Sequence, residues 1–171
     1  LTMQEYLEIF HGNLFDILGK KKKPLVRTMF HERYEEGICD FQTHSILSDV
    51  VVSLNQKYIL TIVSSGHEPA IKKFLEKENL LHLFSDVFGL QTHTSKVIKL
   101  TQLLDKYSLA PVDAVFVTDT LGDILEGHEV GVRSIAETWG FHDKETLEKG
   151  NPEIIIDDPA ELEKTINKLL S

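Results

Sequence analysis

The sequence predicts an α/β protein built around a doubly wound parallel sheet, with a short helical region ahead of it. Two observations support this prediction. Between residues 58 and 170, short apolar runs alternate with segments in which apolar residues recur every three or four positions, which is typical of strands and helices in a parallel sheet. The first apolar run, 58–63, is nearly continuous, as expected for a strand buried on both faces.

Three helices are predicted before the first strand, from the helical spacing of their apolar residues. Their bounds are 2–18, 25–36 and 46–55. Gly19 and Gly37 end the first two helices. Lysines occupy 20–23, and in a chain with 27 acidic and 18 basic residues we interpret them as a solvated connection rather than a nucleic-acid patch. Two short helices cannot bury both of their apolar faces alone, so we expect them to pack over the rest of the protein.

Strands and helices then alternate to the end of the chain. The strands are predicted at 58–63, 83–89, 114–117, 132–135 and 153–156, and the helices at 68–78, 95–107, 124–129 and 159–170. Right-handed crossovers join parallel strands in such a sheet. Ligands bind beyond the carboxyl ends of the strands, so the polar residues that follow 58–63 and 114–117 are the candidates for a functional site.

Charge and composition narrow the class of protein. The formal net charge of −9 disfavours a general attraction to nucleic acid or anionic lipid, and small or metal-bearing partners are expected instead. Neither an apolar run of about 18 residues nor a signal-peptide pattern is found, so we expect a cytoplasmic protein that does not enter a membrane. The single cysteine, Cys39, excludes an internal disulfide and suits a reducing compartment. The oligomeric state stays open.

The strongest candidates for chemistry are Asp119 and Asp123, which end the apolar run 114–117. Their spacing places two carboxylates at the mouth of a strand-to-helix turn, where oxygen ligands hold a hard divalent cation. The structural alternative is that Asp119 caps the following helix and Asp123 lies in its first turn, near the positive end of the helix dipole. The spacing alone does not decide between the two.

Two further segments carry candidate ligands for an anion. Ser64, Ser65 and Gly66 follow a buried strand and precede a helix, an arrangement in which hydroxyls and backbone amides bind phosphate; alternatively, a serine there caps the helix. Lys96 lies at the start of another helix, where the dipole disfavours a cation. This suggests that Lys96 balances a phosphate or carboxylates, although a solvated surface lysine is an even alternative. Lys99, one turn later, is expected to face water.

Together these residues resemble the haloacid dehalogenase-like hydrolase superfamily, and within it the phosphoglycolate-phosphatase-like branch. Residues 58–66 are similar to the second motif of the family, whose hydroxyl binds the transferring phosphoryl group. Lys96 matches the basic residue of the third motif. Residues 117–123 match the fourth motif, which holds magnesium. The similarity extends over essentially the whole chain.

The resemblance implies a Rossmann-like core at 56–171 and a small helical cap, with its connection, at 1–55. It also implies Mg²⁺-dependent hydrolysis of a small phosphorylated metabolite through an aspartyl-phosphate. In that mechanism Lys96 and Ser64 are catalytic, and both bind phosphate together with Ser65 and Gly66. Asp119 and Asp123 then hold the metal.

The first motif of the family, an Asp-x-Asp that supplies the nucleophile, has no match in these residues. The resemblance implies a central strand between 58–63 and 114–117 that ends in this motif. We expect that strand to lie upstream of Leu1. The alternative is a catalytically inactive binding or interaction protein of the same fold. A receiver domain is a weaker alternative, because its acidic pair would precede the serine and the lysine.

Overall fold

The computed structural model describes residues 42–43 and 45–171. They divide into two compact units, which meet in the sequence between Thr94 and Ser95. The predicted helices at 2–18 and 25–36, most of the predicted cap and Cys39 lie outside the described residues. The proposed division into 1–55 and 56–171 stays a prediction.

The unit up to residue 94 is a two-stranded parallel sheet with helices. Its elements are α1 (Ser45–Asn55), β1 (Thr61–Val63), α2 (Glu68–Lys77), a 3₁₀ turn (Leu81–Leu83) and β2 (Asp86–Phe88). β1 and β2 run parallel, with Ile62 opposite Val87. Apolar side chains of α2, β2 and the segment between them form the buried core of this unit, namely Ile71, Leu75, Leu80, Leu83 and Val87.

Both strands of this unit are shorter than predicted, because neighbouring backbone amides are already used. The amides of Lys57 and Tyr58 donate to the Leu54 carbonyl, at 3.0 and 2.9 Å, so these residues close helix α1 rather than open β1. At β2, the amide of Phe84 donates to Leu81 in the 3₁₀ turn, at 3.1 Å. An apolar run therefore marks where a strand lies but not where it begins.

The unit from residue 95 onwards contains three parallel strands and four helices. Its elements are α3 (Lys96–Tyr107), a 3₁₀ turn (Pro111–Asp113), β3 (Val115–Thr118), α4 (Leu121–Val130), β4 (Arg133–Glu137), α5 (Lys144–Glu148), β5 (Ile154–Ile156), a 3₁₀ turn (Pro159–Glu161) and α6 (Leu162–Leu169). The sheet order is β3-β4-β5. Ile124, Ala136 and Leu147, from α4, β4 and α5, are fully buried together.

Most predicted elements of this unit are confirmed, with three exceptions. The predicted helix 159–170 begins as a 3₁₀ turn, so that α6 starts at Leu162. Helix α4 begins at Leu121, ahead of the predicted 124, because the Thr120 hydroxyl accepts the Asp123 amide proton and caps the helix. Helix α5 was not predicted. It has only five residues, with Leu147 as its buried side chain, and is therefore too short for apolar periodicity to reveal it.

The five strands confirm a parallel α/β fold but form two sheets, β1-β2 and β3-β4-β5. Within the described residues, no strand pairs with both β1 and β3. The resemblance implies this division for residues that lack the first strand of the family. No helix in the described part of the chain is long and apolar enough to span a bilayer.

Candidate active site

Lys96 and Asp123 form a largely buried ion pair at the carboxyl end of β3. The Lys96 ammonium contacts Oδ1 of Asp123, and the two side chains are 10% and 15% exposed. The hydroxyl of Thr118, the last residue of β3, donates to Oδ2 of the same carboxylate at 3.0 Å. The interpretation of Lys96 as a solvated surface residue is therefore wrong. Its charge is matched by a carboxylate from the next helix.

Asp119 does not cap helix α4, so the alternative reading of this residue is also wrong. The cap is Thr120, whose hydroxyl accepts the Asp123 amide proton at 3.3 Å. Asp123 does lie in the first turn of α4, where the helix dipole favours a negative charge. The two carboxylates thus differ in role, since one belongs to the helix and the other precedes it.

The loop after β4 holds Asp119 in place. The amide of Phe141 donates to Oδ2 of Asp119 at 2.9 Å, and the amide of His142 donates to the Asp119 carbonyl at 3.1 Å. Nδ1 of His142 accepts the Leu121 amide proton at 3.0 Å, at the start of α4. Gly140 fits against the Asp119 carboxylate, where a Cβ atom would overlap it. This loop therefore fixes both Asp119 and the N-terminus of α4.

Glu137, the last residue of β4, lies beside Asp119 and was not identified from the sequence. The pKa of Glu137 is raised to about 7, mainly by burial and secondly by the negative charge of Asp119. Hydrogen bonds from the amides of Trp139 and Gly140 oppose this shift. One signal was available: β3 and β4 are parallel neighbours, so acids that follow them meet at one edge.

Lys99, predicted to face water, is instead completely buried. It lies three residues after Lys96 on α3, and residues three apart share a face of a helix. Glu126 of α4 is buried as well, and its Oε1 accepts the Lys96 backbone amide proton at 2.9 Å. The sequence did not point to Glu126.

Ser64 and its neighbours lie in the other unit and do not cap helix α2. The N-cap of α2 is His67, which makes no side-chain capping bond, while the Ser64 hydroxyl accepts the Gly66 amide proton at 3.0 Å. The capping interpretation of the serines is therefore wrong. The expected meeting of Ser64 with Lys96 and the aspartates stays a prediction.

Glu68 ties the start of α2 to the loop after β2. Its Oε1 accepts the amide protons of Gly89 and Thr92, at 2.9 and 2.8 Å, and the Thr92 hydroxyl proton at 2.5 Å. Burial raises the pKa of Glu68, but these hydrogen bonds outweigh burial and hold the pKa below its ordinary value. The charged carboxylate thus stabilises the turn beside the predicted phosphate-binding segment.

We expect Glu68→Gln to lower the free energy of unfolding by about 1–2 kcal/mol at pH 7, because a neutral acceptor makes weaker hydrogen bonds. The folded pKa is lowered, so the carboxylate contributes its full stability above the unfolded pKa and loses it as the pH falls through the folded value. The difference from wild type should therefore shrink below about pH 4. Urea denaturation and hydrogen exchange at Gly89 and Thr92 measure this effect. Glu76→Gln, at an exposed position of α2, is the control, and an equal loss there would contradict the prediction.

The residues of the unit from residue 95 onwards suit a magnesium ion with few protein ligands. Within residues 42–43 and 45–171, no group of three or more His, Cys, Asp or Glu is placed to hold a metal ion. Magnesium, however, is usually bound by one or two carboxylates, water and substrate phosphate. Phe141 donates to one oxygen of Asp119, and a carboxylate has about four acceptor positions. Asp119 therefore fits as a direct ligand, whereas Asp123 is engaged by Lys96 and Thr118.

Comparison with known proteins gives consistent matches. A model of haloacid dehalogenase-like hydrolases matches residues 2–137. The phosphoglycolate phosphatase of Synechococcus elongatus is 29% identical over 125 residues, which cover 72% of this chain and 59% of that protein. The phosphoglycolate phosphatase of Aliivibrio fischeri is 29% identical over 139 residues, which cover 77% and 60%. The chain thus spans about three fifths of the length of these curated relatives.

Solved structures support the same fold. A haloacid dehalogenase-like hydrolase from Streptococcus pneumoniae matches with a TM-score of 0.71 at 26% identity, over 76% of this chain and 62% of that one. A structure from Haemophilus somnus, described as a predicted phosphoglycolate phosphatase, matches with a TM-score of 0.76 over 96% of this chain and 83% of that one. Its identity is 22%, so it bears on the fold alone. The predicted α/β fold is confirmed.

Proposed function

The chain belongs to the haloacid dehalogenase-like hydrolase family, and we propose that it serves as a Mg²⁺-dependent phosphatase of a small phosphate ester. The observation that carries this proposal is the buried contact of the Lys96 ammonium with Asp123 at the carboxyl end of β3. A buried cation at this edge of a parallel sheet suits an anionic ligand. The relatives named phosphoglycolate phosphatase support a small phosphorylated metabolite as the substrate.

Each candidate residue has a proposed role in this reaction. Lys96 offsets the negative charge of the phosphoryl group, and Asp123 with Thr118 orients the ammonium. The hydroxyl of Ser64 and the amides of Ser65 and Gly66 bind phosphoryl oxygens, as loops before helices do. This last role stays a prediction.

Asp119 is the proposed direct ligand of magnesium. Asp123, four residues later, is the second acid of the predicted pair, and its two oxygens bind Lys96 and Thr118. When bound, Mg²⁺ screens the repulsion between an anionic nucleophile and an anionic phosphate. The hydrogen bond from Phe141 orients the Asp119 carboxylate before any ligand arrives. Such preorganisation reduces the rearrangement needed on binding.

The aspartate nucleophile of the proposed covalent mechanism is not supplied by an Asp-x-Asp among these residues. The proposal therefore concerns groups that bind and neutralise the phosphoryl group, and a two-step reaction requires a further carboxylate. The second candidate function is an inactive protein of this fold that binds magnesium and a phosphate ester without cleaving it.

Asp119→Asn tests the proposed metal ligand. We expect the magnesium concentration for half-maximal release of phosphate from p-nitrophenyl phosphate to rise by at least about tenfold, because a neutral amide binds a hard cation weakly. Asp105→Asn, at an exposed position of α3, is the control. Hydrolysis that is unchanged in Asp119→Asn would refute the assignment. Phosphate binding without hydrolysis by the wild type would favour the inactive alternative.

A further inference from the structure

Two carboxylates of helix α4 bind the same lysine. Asp123 and Glu126 are three residues apart, so they lie on one face of the helix. Asp123 contacts the ammonium of Lys96, and Oε1 of Glu126 accepts the Lys96 backbone amide proton at 2.9 Å. The same Glu126 oxygen lies 3.4 Å from the hydroxyl of Ser95. Lys96 is therefore held at both of its ends by one helix.

Glu126 also caps helix α3, in addition to the long capping bond of Ser95. The first amides of a helix have no partner within it. The N-cap residue, Ser95, accepts the Ile98 amide proton only at 3.5 Å, the limit for a hydrogen bond. The bond from Lys96 to Glu126 is shorter, and Glu126 is 8% exposed. A negative charge there also offsets the unfavourable position of a lysine at the positive end of the helix.

We infer that Glu126 is a positioning residue that fixes the Lys96 ammonium on Asp123. A lysine side chain is long and flexible, so its ammonium keeps one position only if the backbone from which it extends is also fixed. Glu126 fixes the backbone of Lys96, and the Asp123 carboxylate selects the Lys96 rotamer in which the ammonium contacts it. The kinetic consequence rests on the proposed phosphatase function, whereas the placement of Lys96 does not.

The placement is tested by the reactivity of Lys96 towards an amine-acylating reagent, measured by peptide mass spectrometry on the full chain. Exposed Lys106, on the same helix, is the internal reference. Loss of a helix cap shifts the equilibrium between the ordered and the frayed helix end by about tenfold. Glu126→Ala should therefore raise the labelling of Lys96 relative to Lys106 by about tenfold. Glu126→Gln keeps an oxygen acceptor but loses the charge, so the labelling of Lys96 should rise less in this variant. Glu129→Ala, at an exposed position of α4, should leave it unchanged.

Activity gives an independent readout. In Glu126→Ala we expect kcat for p-nitrophenyl phosphate to fall by about tenfold with little change in KM. The reason is that misplacing the ammonium removes more stabilisation from the transition state than from the bound ester. Glu126→Gln should restore part of kcat, which a general loss of folding would not produce. If Glu126→Ala is unfolded by circular dichroism, Glu126→Gln decides.

Unchanged labelling of Lys96 in the deciding variant overturns the inference, whatever the activity. Increased labelling together with unchanged kcat also overturns it, because Lys96 would then need no positioning. If labelling responds as expected but the wild type releases no phosphate, the proposed function fails while the placement of Lys96 by Glu126 stands.

Discussion

Lys96→Met is expected to lower the proposed phosphatase activity by about 10²–10³-fold, the usual effect of removing one group that stabilises developing charge. Methionine retains most of the apolar stem but not the ammonium that contacts Asp123. The variant should also lose stability, because the largely buried Asp123 carboxylate then keeps, among the residues that the structure describes, only its hydrogen bond from Thr118. Removing one partner of a buried pair costs about 3–5 kcal/mol, and the partial exposure of both side chains places the expected loss near the lower end. Steady-state kinetics and urea denaturation measure the two effects.

The double variant Lys96→Met with Asp123→Asn separates these effects. It removes the unpaired buried charge, so most of the lost stability should return while activity stays low. Lys106→Met, at an exposed position of the same helix, controls for the loss of a positive charge. Full activity in Lys96→Met, or recovery of activity in the double variant, would show that Lys96 does not neutralise the substrate.

The parallel α/β core could be predicted from sequence because apolar runs and helical spacing depend on which residues are buried, and burial defines the sheet. The position of Lys96 was informative for a related reason, since a lysine at a helix start opposes the helix dipole and implies a compensating group. That group proved to be Asp123, with Glu126 at the backbone amide. Local electrostatics indicated that a partner was needed, and tertiary packing determined which residue it is.

The burial of Lys99, in contrast, could not be predicted from local electrostatics. Its sequence neighbourhood gives it the same helical face as Lys96, yet a lysine is ordinarily assigned to the surface because few lysines are completely buried. Burial of Lys99 depends on which elements pack against α3, and the sequence of α3 itself does not identify them. Thr120 illustrates the same limit, because two adjacent polar residues precede α4 and only backbone geometry decides that the threonine rather than Asp119 caps it.

The loop at 138–142 was outside the reach of sequence patterns altogether. It holds the two carboxylates through backbone amides, which every residue possesses, so side-chain patterns do not reveal these contacts. Phe141 and His142 donate their amide protons to Asp119, and Trp139 donates its amide proton to Glu137 at 2.9 Å. The glycine between them is the one position where the sequence records this geometry.

Gly140→Ala is expected to disturb Asp119 more than any substitution elsewhere in this loop. A Cβ atom at residue 140 would overlap the Asp119 carboxylate and Oε1 of Glu137, two groups that are already held by backbone hydrogen bonds. Either the carboxylates or the loop must move, so we expect activity to fall by about 10²-fold, as misplacement of a positioned group by about 1 Å can cause. Overpacking should lower the free energy of unfolding by about 1–3 kcal/mol.

Gly131→Ala is the matched control for this substitution. Gly131 ends α4 with a φ of 79°, so alanine there is strained by its backbone conformation and should cost about 1 kcal/mol of stability. Its added Cβ would meet only Pro111, at an ordinary 3.6 Å, and it does not contact Asp119. Activity per folded molecule should therefore be retained in Gly131→Ala and lost in Gly140→Ala, as measured by magnesium titrations of phosphate release at matched folded fractions. If both variants lose activity in proportion to stability, Asp119 is not positioned by this loop, because a general weakening of the fold would then account for both results.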